Sequence, residues 1–256
     1  MEYLISASTD IGNVKTTNQD SYLIRSLSTG SGKMVLAVLC DGMGGLSKGE
    51  VASSTLVKAM SDWCDTRLPV LLQKGLMDAD IRTEWTDIVR DYNEKIRSYG
   101  DRQNIRLGTT ITALLLTDER YYVINVGDSR CYELSDAFIQ ITRDQTVVQR
   151  EIDRGNLTVE QAESDPRRSV LLQCIGASDN VYPDFFFGDA KKDAVYMLCS
   201  DGFRHLISAD EIFQYLGPHA ALSQEQMKAY SDYLIRTNKE RGERDNITVL
   251  AVRTYI

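Results

Sequence analysis

The order of strand-like and helix-like stretches predicts an α+β sandwich. Three observations carry it. Apolar runs of strand length come in blocks rather than alternating singly with helices. Two long stretches with three- and four-residue apolar spacing stand next to each other. A last strand-like run closes the chain and must return to pair with early strands.

The first block holds residues 3–9, 21–27 and the strongly apolar 34–40. Helical spacing covers 49–73 and 78–98, with breakers at Leu68-Pro69 and Lys74-Gly75 that predict an interruption. Residues 109–117, 121–126, 130–134 and 138–141 alternate like strands, and Thr117-Asp118, Gly127-Asp128 and Ser135-Asp136 read as turns. An antiparallel meander is expected there. Residues 142–168 turn polar and helical, punctuated by Gly155 and Pro166, and read as a surface insertion. Strands at 181–187 and 194–199, helices at 209–216 and 224–241, and a strand at 246–254 complete the series. No composition shift divides the chain and no repeat of 20–50 residues is visible, so residues 1–256 are read as one domain.

Composition narrows the function. With 29 Lys+Arg against 37 Asp+Glu, the net charge of -8 disfavours nucleic acid or an anionic membrane as partner. The start, Met1-Glu2-Tyr3-Leu4-Ile5-Ser6, lacks a signal peptide's basic and apolar segments. No apolar run approaches the ~20 residues of a membrane span. A cytoplasmic protein is expected. Its 5 Cys are scattered and form no C-x-x-C pair, against a disulfide framework or thiolate zinc site. The 2 His, His205 and His219, are too few for a histidine cluster and are read as structural. Any metal must therefore be held by oxygens.

Aspartates stand where strands end. Asp41 follows the run 34–40, Asp201 follows 194–200, and Asp128 follows 123–127. Asp20 precedes the strand at 21–27, and Asp245 precedes the last strand. Asp-Gly and Asp-Asn pairs are common turn formers, which explains any one of these singly. Several strand ends at one rim would instead gather carboxylates that repel unless cations neutralise them. Carboxylates with carbonyls and waters suit Mg²⁺ or Mn²⁺. The chemistry then points to a two-metal hydrolase.

Three motifs mislead. Gly45-Leu46-Ser47-Lys48-Gly49 matches a nucleophile elbow, but the strand ends at Cys40 and a glycine loop intervenes. Thr29-Gly30-Ser31-Gly32-Lys33-Met34 looks like a phosphate-loop tail, yet a strand follows it, so a hairpin turn fits better. Gly42-Met43-Gly44-Gly45 gains weight only from following Asp41 and opening a helix.

In chain order the informative pieces are Gly12-Asn13-Val14-Lys15-Thr16-Thr17-Asn18-Gln19-Asp20, Cys40-Asp41-Gly42-Met43-Gly44-Gly45, Gly49-Glu50-Val51-Ala52-Ser53 and Gly108-Thr109-Thr110. They continue with Val126-Gly127-Asp128-Ser129-Arg130, Leu172-Gln173-Cys174-Ile175-Gly176, Cys199-Ser200-Asp201-Gly202-Phe203 and Arg244-Asp245-Asn246-Ile247-Thr248. Together they resemble the metal-dependent, type 2C serine/threonine protein phosphatases (PPM) in their compact bacterial form, over nearly the whole chain.

The resemblance implies a four-layer αββα sandwich of two antiparallel sheets flanked by helices. It implies two Mn²⁺ or Mg²⁺ ions: Asp41 bridging both, the Gly42 carbonyl on one, Asp201 and Asp245 completing the other. Asp20 would hold metal-bound waters. Asp128 with Asp201 would form a third, weaker site. The insertion at 142–168 falls where the family carries a flap beside the active site. A water made acidic by two cations would attack phosphorus in line, without a phosphoenzyme. Cys40 and Cys199 adjoin these aspartates, but alternation turns them into the core.

Two departures matter. Lys15 stands where the family usually has a phosphate-gripping Arg, and it offers a point charge instead of a bidentate fork; the competing reading is a solvated turn lysine. Met43 stands where eukaryotic relatives have His, as in bacterial ones, which leaves protonation of the leaving group to a metal-bound water. The expected function is hydrolysis of phosphoserine and phosphothreonine in protein substrates, opposing a cognate serine/threonine kinase, by a monomer. A catalytically silent partner-binding domain and a metallophosphatase for small phosphate esters are the alternatives.

Overall fold

A computed structural model describes residues 1–30, 32–43 and 48–256. Among the described residues, strands β1 (Glu2–Asp10), β2 (Asp20–Thr29) and β3 (Gly32–Asp41) come first. Helices α1 (Gly49–Thr66), α2 (Leu68–Lys74) and α3 (Asp78–Gln103) follow, then β4 (Ile111–Leu116), β5 (Arg120–Val126), β6 (Arg130–Leu134) and β7 (Phe138–Gln140). Short α4 (Val147–Asp153) and α5 (Val159–Glu163) fall in the polar insertion. The chain ends with β8 (Asp184–Asp189), β9 (Ala194–Cys199), α6 (Asp201–Arg204), α7 (Ala209–Leu216), α8 (Gln224–Glu240) and β10 (Ile247–Tyr255).

Two antiparallel sheets result, one ordered β1-β10-β9-β6-β7 and the other β2-β3-β4-β5-β8. The last strand returns to the first, with Glu2 opposite Tyr255 and Asp10 opposite Ile247. Side-chain alternation builds the layers. In β3, Val35, Ala37 and Leu39 pack with Tyr196, Leu198, Leu250 and Val252 of the facing sheet. The intervening Leu36, Val38 and Cys40 pack under Ala52, Leu56, Met60 and Trp63 of α1 and Trp85 of α3. Trp63 and Trp85 meet edge to face at 5.4 Å. On the opposite outer face Val249 and Ala251 lie with Leu234 and Ile235 of α8 and Ile212 of α7. This is the expected αββα sandwich. The hairpin reading of residues 29–34 also holds, since Thr29 pairs with Gly32; Ser31 lies outside the described residues.

The meander does not hold. β4 pairs with β5 and β6 with β7, but β5 turns to β8 and β6 to β9, so the chain changes sheets at Gly127-Asp128-Ser129. The turn that looked like a hairpin is a crossing between layers. Gly127 adopts φ 111 there, and a Cβ on it would lie 2.5 Å from the Thr110 Cγ2. Local sequence cannot distinguish that crossing from a hairpin, because both need the same turn residues. The first helix is interrupted where expected, at Arg67 before Leu68-Pro69, while α6 has no counterpart in the sequence reading.

Gly127→Ala should therefore lower stability by at least about 1–3 kcal/mol, from backbone strain and the Thr110 clash. A urea midpoint equal to wild type would refute this role.

Candidate metal centre

Strand pairing alone puts two carboxylates side by side. Asp20 opens β2, Asp41 ends β3, and the two are direct cross-strand partners. Directly opposed residues share a face. Asp41 continues the series Val35, Ala37, Leu39, so both carboxylates face the gap between the sheets. From across that gap Thr248 of β10 donates its Oγ1–H to Asp20 Oδ2 at 2.6 Å. The other oxygen, Asp20 Oδ1, is buried without a hydrogen-bond partner.

Neighbouring backbone fixes the rim. Asp41 N–H donates to Thr110 Oγ1 at 3.0 Å, and Asp41 O accepts from Thr110 N at 2.9 Å and Thr109 Oγ1 at 3.0 Å. Gly42 N–H donates to Gln19 O at 3.1 Å, and a Cβ at Gly42 would fall 2.6 Å from Gln19 O and from the Gly49 backbone. No larger residue fits there. Gly44, Gly45, Leu46 and Ser47, and with them the elbow-like motif, lie outside the described residues.

The remaining carboxylates arrive from other elements. Asp201 opens α6 after β9, and a Cβ on Gly202 would sit 2.2 Å from Asn246 O, so this turn presses on the Asp245-Asn246 backbone. Asn246 in turn holds the loop at 11–19: its Nδ2 donates to Ile11 O at 2.9 Å and Thr17 O at 3.2 Å, and its Oδ1 accepts from Gln19 N at 2.9 Å. Lys15 rides on that loop, and its Nζ lies 2.8 Å from Asp245 Oδ1.

The charges act as one group. Burial, then Asp20, Asp201, Asp128 and Asp245, hold the Asp41 carboxyl well above the usual carboxylate range. Burial also raises Asp20, with Asp201 and Asp245 adding to it against hydrogen bonds from Thr248 and Ser200. Asp128 is raised by burial and by Asp201, against the opposing charge of Arg204. Burial alone would lower the Lys15 ammonium, but Asp245, Asp41 and Asp201 outweigh it and raise it. Lys15 is thus paired with Asp245 at the edge of the carboxylate group.

Sequence reasoning missed the cations on the Asp128 side. Arg204 Nη2 donates to Asp128 O at 3.1 Å and to Asp144 Oδ2 at 3.3 Å, and Arg130 grips both Asp144 oxygens at 2.7 Å. The sequence predicts a structural role for His205. Its Nε2 instead lies 3.5 Å from Asp201 Oδ2 and its Nδ1 3.4 Å from Glu243 Oε2. Burial would lower its pKa, but the Glu243 contact and the Asp201 charge raise it. No spacing rule links residues 128, 144, 204 and 243, which explains the miss. His219 does stay apart, exposed against the Phe213 ring at 5.5 Å. Cys40 and Cys199 are core, as expected, with burial pushing the Cys199 thiol up to about 12.

These residues suit hard cations. Among the described residues no group of three or more His, Cys, Asp or Glu side chains is placed to hold an ion by itself; Mg²⁺ or Mn²⁺ would take carbonyl and water oxygens beside the carboxylates. The unpartnered Asp20 oxygen and the mutual repulsion at Asp41 are what bound cations and their waters would satisfy.

An αββα sandwich with buried aspartates at one rim of its sheets defines the class of metal-dependent phosphatases. The family model described as "Protein phosphatase 2C" matches residues 12–241, and the chain belongs to that family. It is 30% identical over 251 residues to protein phosphatase PhpP of Streptococcus pneumoniae, covering 97% of this chain and 96% of the relative. The S. agalactiae serine/threonine phosphatase superposes with TM-score 0.82 at 28% identity, over 99% of this chain and 100% of that one. The catalytic domain of the serine/threonine phosphatase PstP in complex with 2 manganese ions gives TM-score 0.78 at 29% identity, over 99% of each chain.

Replacing Asn246 by Ala would strand Gln19 N–H and the carbonyls of Ile11 and Thr17, at about 1–3 kcal/mol for a buried group left unpaired. Amide exchange across residues 11–19 should accelerate in Asn246→Ala while β9 and β10 stay protected. Unchanged exchange in the loop would refute this anchoring.

Proposed function

We propose that the chain hydrolyses phosphoserine and phosphothreonine in proteins at a centre of two Mn²⁺ or Mg²⁺ ions. The observation that carries this reading is the rim where Asp20, Asp41, Asp128 and Asp201 are drawn in together, with the half-exposed Asp245 and Lys15 at its edge. Asp41 would span both ions, the Gly42 carbonyl would serve one, and Asp201 and Asp245 the other. Bound ions would supply a water acidic enough to attack phosphorus near neutral pH and positive charge against the phosphoryl oxygens. Asp20, with Oδ2 fixed by Thr248, keeps Oδ1 to accept from and orient a water at the rim. Asp128 would offer a third, weaker site with Asp201, and the guanidinium of Arg204 beside it already offsets part of its charge. Lys15 stands at the edge of the group, where its ammonium would draw a phosphate oxygen while Asp245 orients it.

A cysteine nucleophile does not compete with this reading, since all 5 cysteines are buried. Their free state also fits a reducing compartment, and we place the protein in the cytoplasm. Among the described residues no helix is long and apolar enough to cross a membrane. We propose that it acts as a monomer. Such an enzyme opposes a serine/threonine kinase, and the insertion at 142–168, tied down at Asp144 by Arg130, would be its flap.

Activity on a phosphopeptide should vanish with excess chelator and return with Mn²⁺, and Asp41→Asn should stay inactive at any Mn²⁺ concentration. Full activity in chelator would overturn the dinuclear reading. Competition between the phosphopeptide and a small phosphate ester separates a protein phosphatase from a small-ester enzyme.

Lys15 has its own signature. A single ammonium makes one charge-assisted hydrogen bond where a guanidinium makes two. Lys15→Arg should lower KM for the phosphopeptide, and Lys15→Ala should raise it about tenfold to a hundredfold, for a contact of roughly 1.5–3 kcal/mol, with a smaller change in kcat. Unchanged KM in both variants would remove Lys15 from the substrate site.

A further inference from the structure

Asp201 and Asp245 are assigned to the same ion but come from different elements, one from the start of α6 and one from the loop before β10. Two carboxylates cannot hold each other in place, because they repel. The structure shows what stands behind them. His205 Nε2 is 3.5 Å from Asp201 Oδ2, and its Nδ1 is 3.4 Å from Glu243 Oε2. The second Glu243 oxygen, Oε1, accepts the backbone N–H of Arg244 at 2.7 Å and of Asp245 at 2.9 Å. Glu243 N–H donates to Asn238 O at 3.0 Å, which ties this arrangement to α8. The Glu243 side chain is 7% exposed and that of His205 22%, so water competes little for these contacts.

We propose that Glu243 and His205 form a positioning pair for the metal centre. Glu243 fixes the backbone of Asp245 and the orientation of the His205 ring, and His205 holds the Asp201 carboxylate toward the ion. The inference rests on the reading that Asp201 and Asp245 hold one ion. Residues that orient ligands without touching the metal typically change metal affinity by 10- to 100-fold when removed. The pair is a feature of this chain's own residues: an imidazole one turn beyond Asp201 and a carboxylate two residues before Asp245. Neither residue is placed against substrate, so its effect belongs to metal occupancy rather than to turnover of the loaded enzyme.

The test titrates Mn²⁺ into the chelator-stripped, full-length protein by calorimetry and follows the Mn²⁺ dependence of phosphopeptide hydrolysis. His205→Ala and Glu243→Gln should each raise the Kd for Mn²⁺ about 10- to 100-fold. At saturating Mn²⁺, kcat should stay within a few-fold (about threefold) of wild type, a split that general damage to the fold does not give. The double variant should lose little beyond the larger single loss, because the two residues act as one unit. His205→Gln, which keeps a donor on a longer side chain, should recover part of the affinity. Glu243→Gln keeps the volume and an Oε1 that can accept both backbone N–H groups, so it carries the test if His205→Ala does not fold. His219→Ala serves as the histidine control and should bind Mn²⁺ as wild type does. Wild-type Kd in both His205→Ala and Glu243→Gln would overturn the positioning role while leaving the metal reading intact. A wild-type protein that binds no Mn²⁺ would overturn both.

Discussion

Mutual repulsion among aspartates gathered between two sheets is the constraint on which the rest of this structure depends. Asp20 and Asp41 are brought together by register, and the other three by the ends of elements that meet at the same rim. Burying such charges without compensation is costly, and the sandwich sustains it because three apolar layers lie behind the rim. The strongest influences on Asp41 besides burial are four other carboxylates. Asp128 is likewise raised by burial, Asp201 and Asp144, but there Arg204 and His205 oppose them. The demand for an added cation is therefore greatest at Asp41, where the assigned pair of ions would sit, and weaker toward Asp128.

Much of the machinery around the rim does no chemistry. Thr109 and Thr110 hold the backbone of Asp41, Gly42 and Gly202 allow backbones to touch, and Asn246 stitches the Lys15 loop to the last strand. Gly42, Gly202 and Asn246 sit in the same short motifs as the aspartates, while Thr109 and Thr110 come from a motif of their own. A hydroxyl or amide in a motif can serve the carboxylate beside it by fixing the main chain, and its removal should show first in local order.

The groups around the rim come from separate parts of the chain: the cation Lys15 from the loop after β1, the cation Arg204 and the His205 imidazole from the segment after β9. Each is paired. Lys15 meets Asp245, Arg204 meets Asp144, and His205 lies between Asp201 and Glu243. The rim is thus framed by fixed positive groups that partly offset its charge and restrict how its carboxylates turn.

Local periodicity determined much of this protein. Apolar runs located β3 and β9, alternation located β6, three- and four-residue spacing located α1 and α3, and the hairpin between β2 and β3 then forced Asp20 opposite Asp41. Aspartates at strand ends marked the oxygen-rich rim, and the ordered motifs marked the phosphatase family. Tertiary structure decided what those patterns leave open. Gly127-Asp128-Ser129 reads as a hairpin turn in sequence, and only the packing of β5 on β8 and β6 on β9 makes it a crossing between sheets. The partner of Lys15 lies 230 residues away, and His205 reaches Glu243 across α7 and α8. Strands and helices leave periodic traces because neighbours along the chain share a backbone geometry. An ion pair between distant elements depends on how whole layers dock, and it leaves no such trace in the sequence.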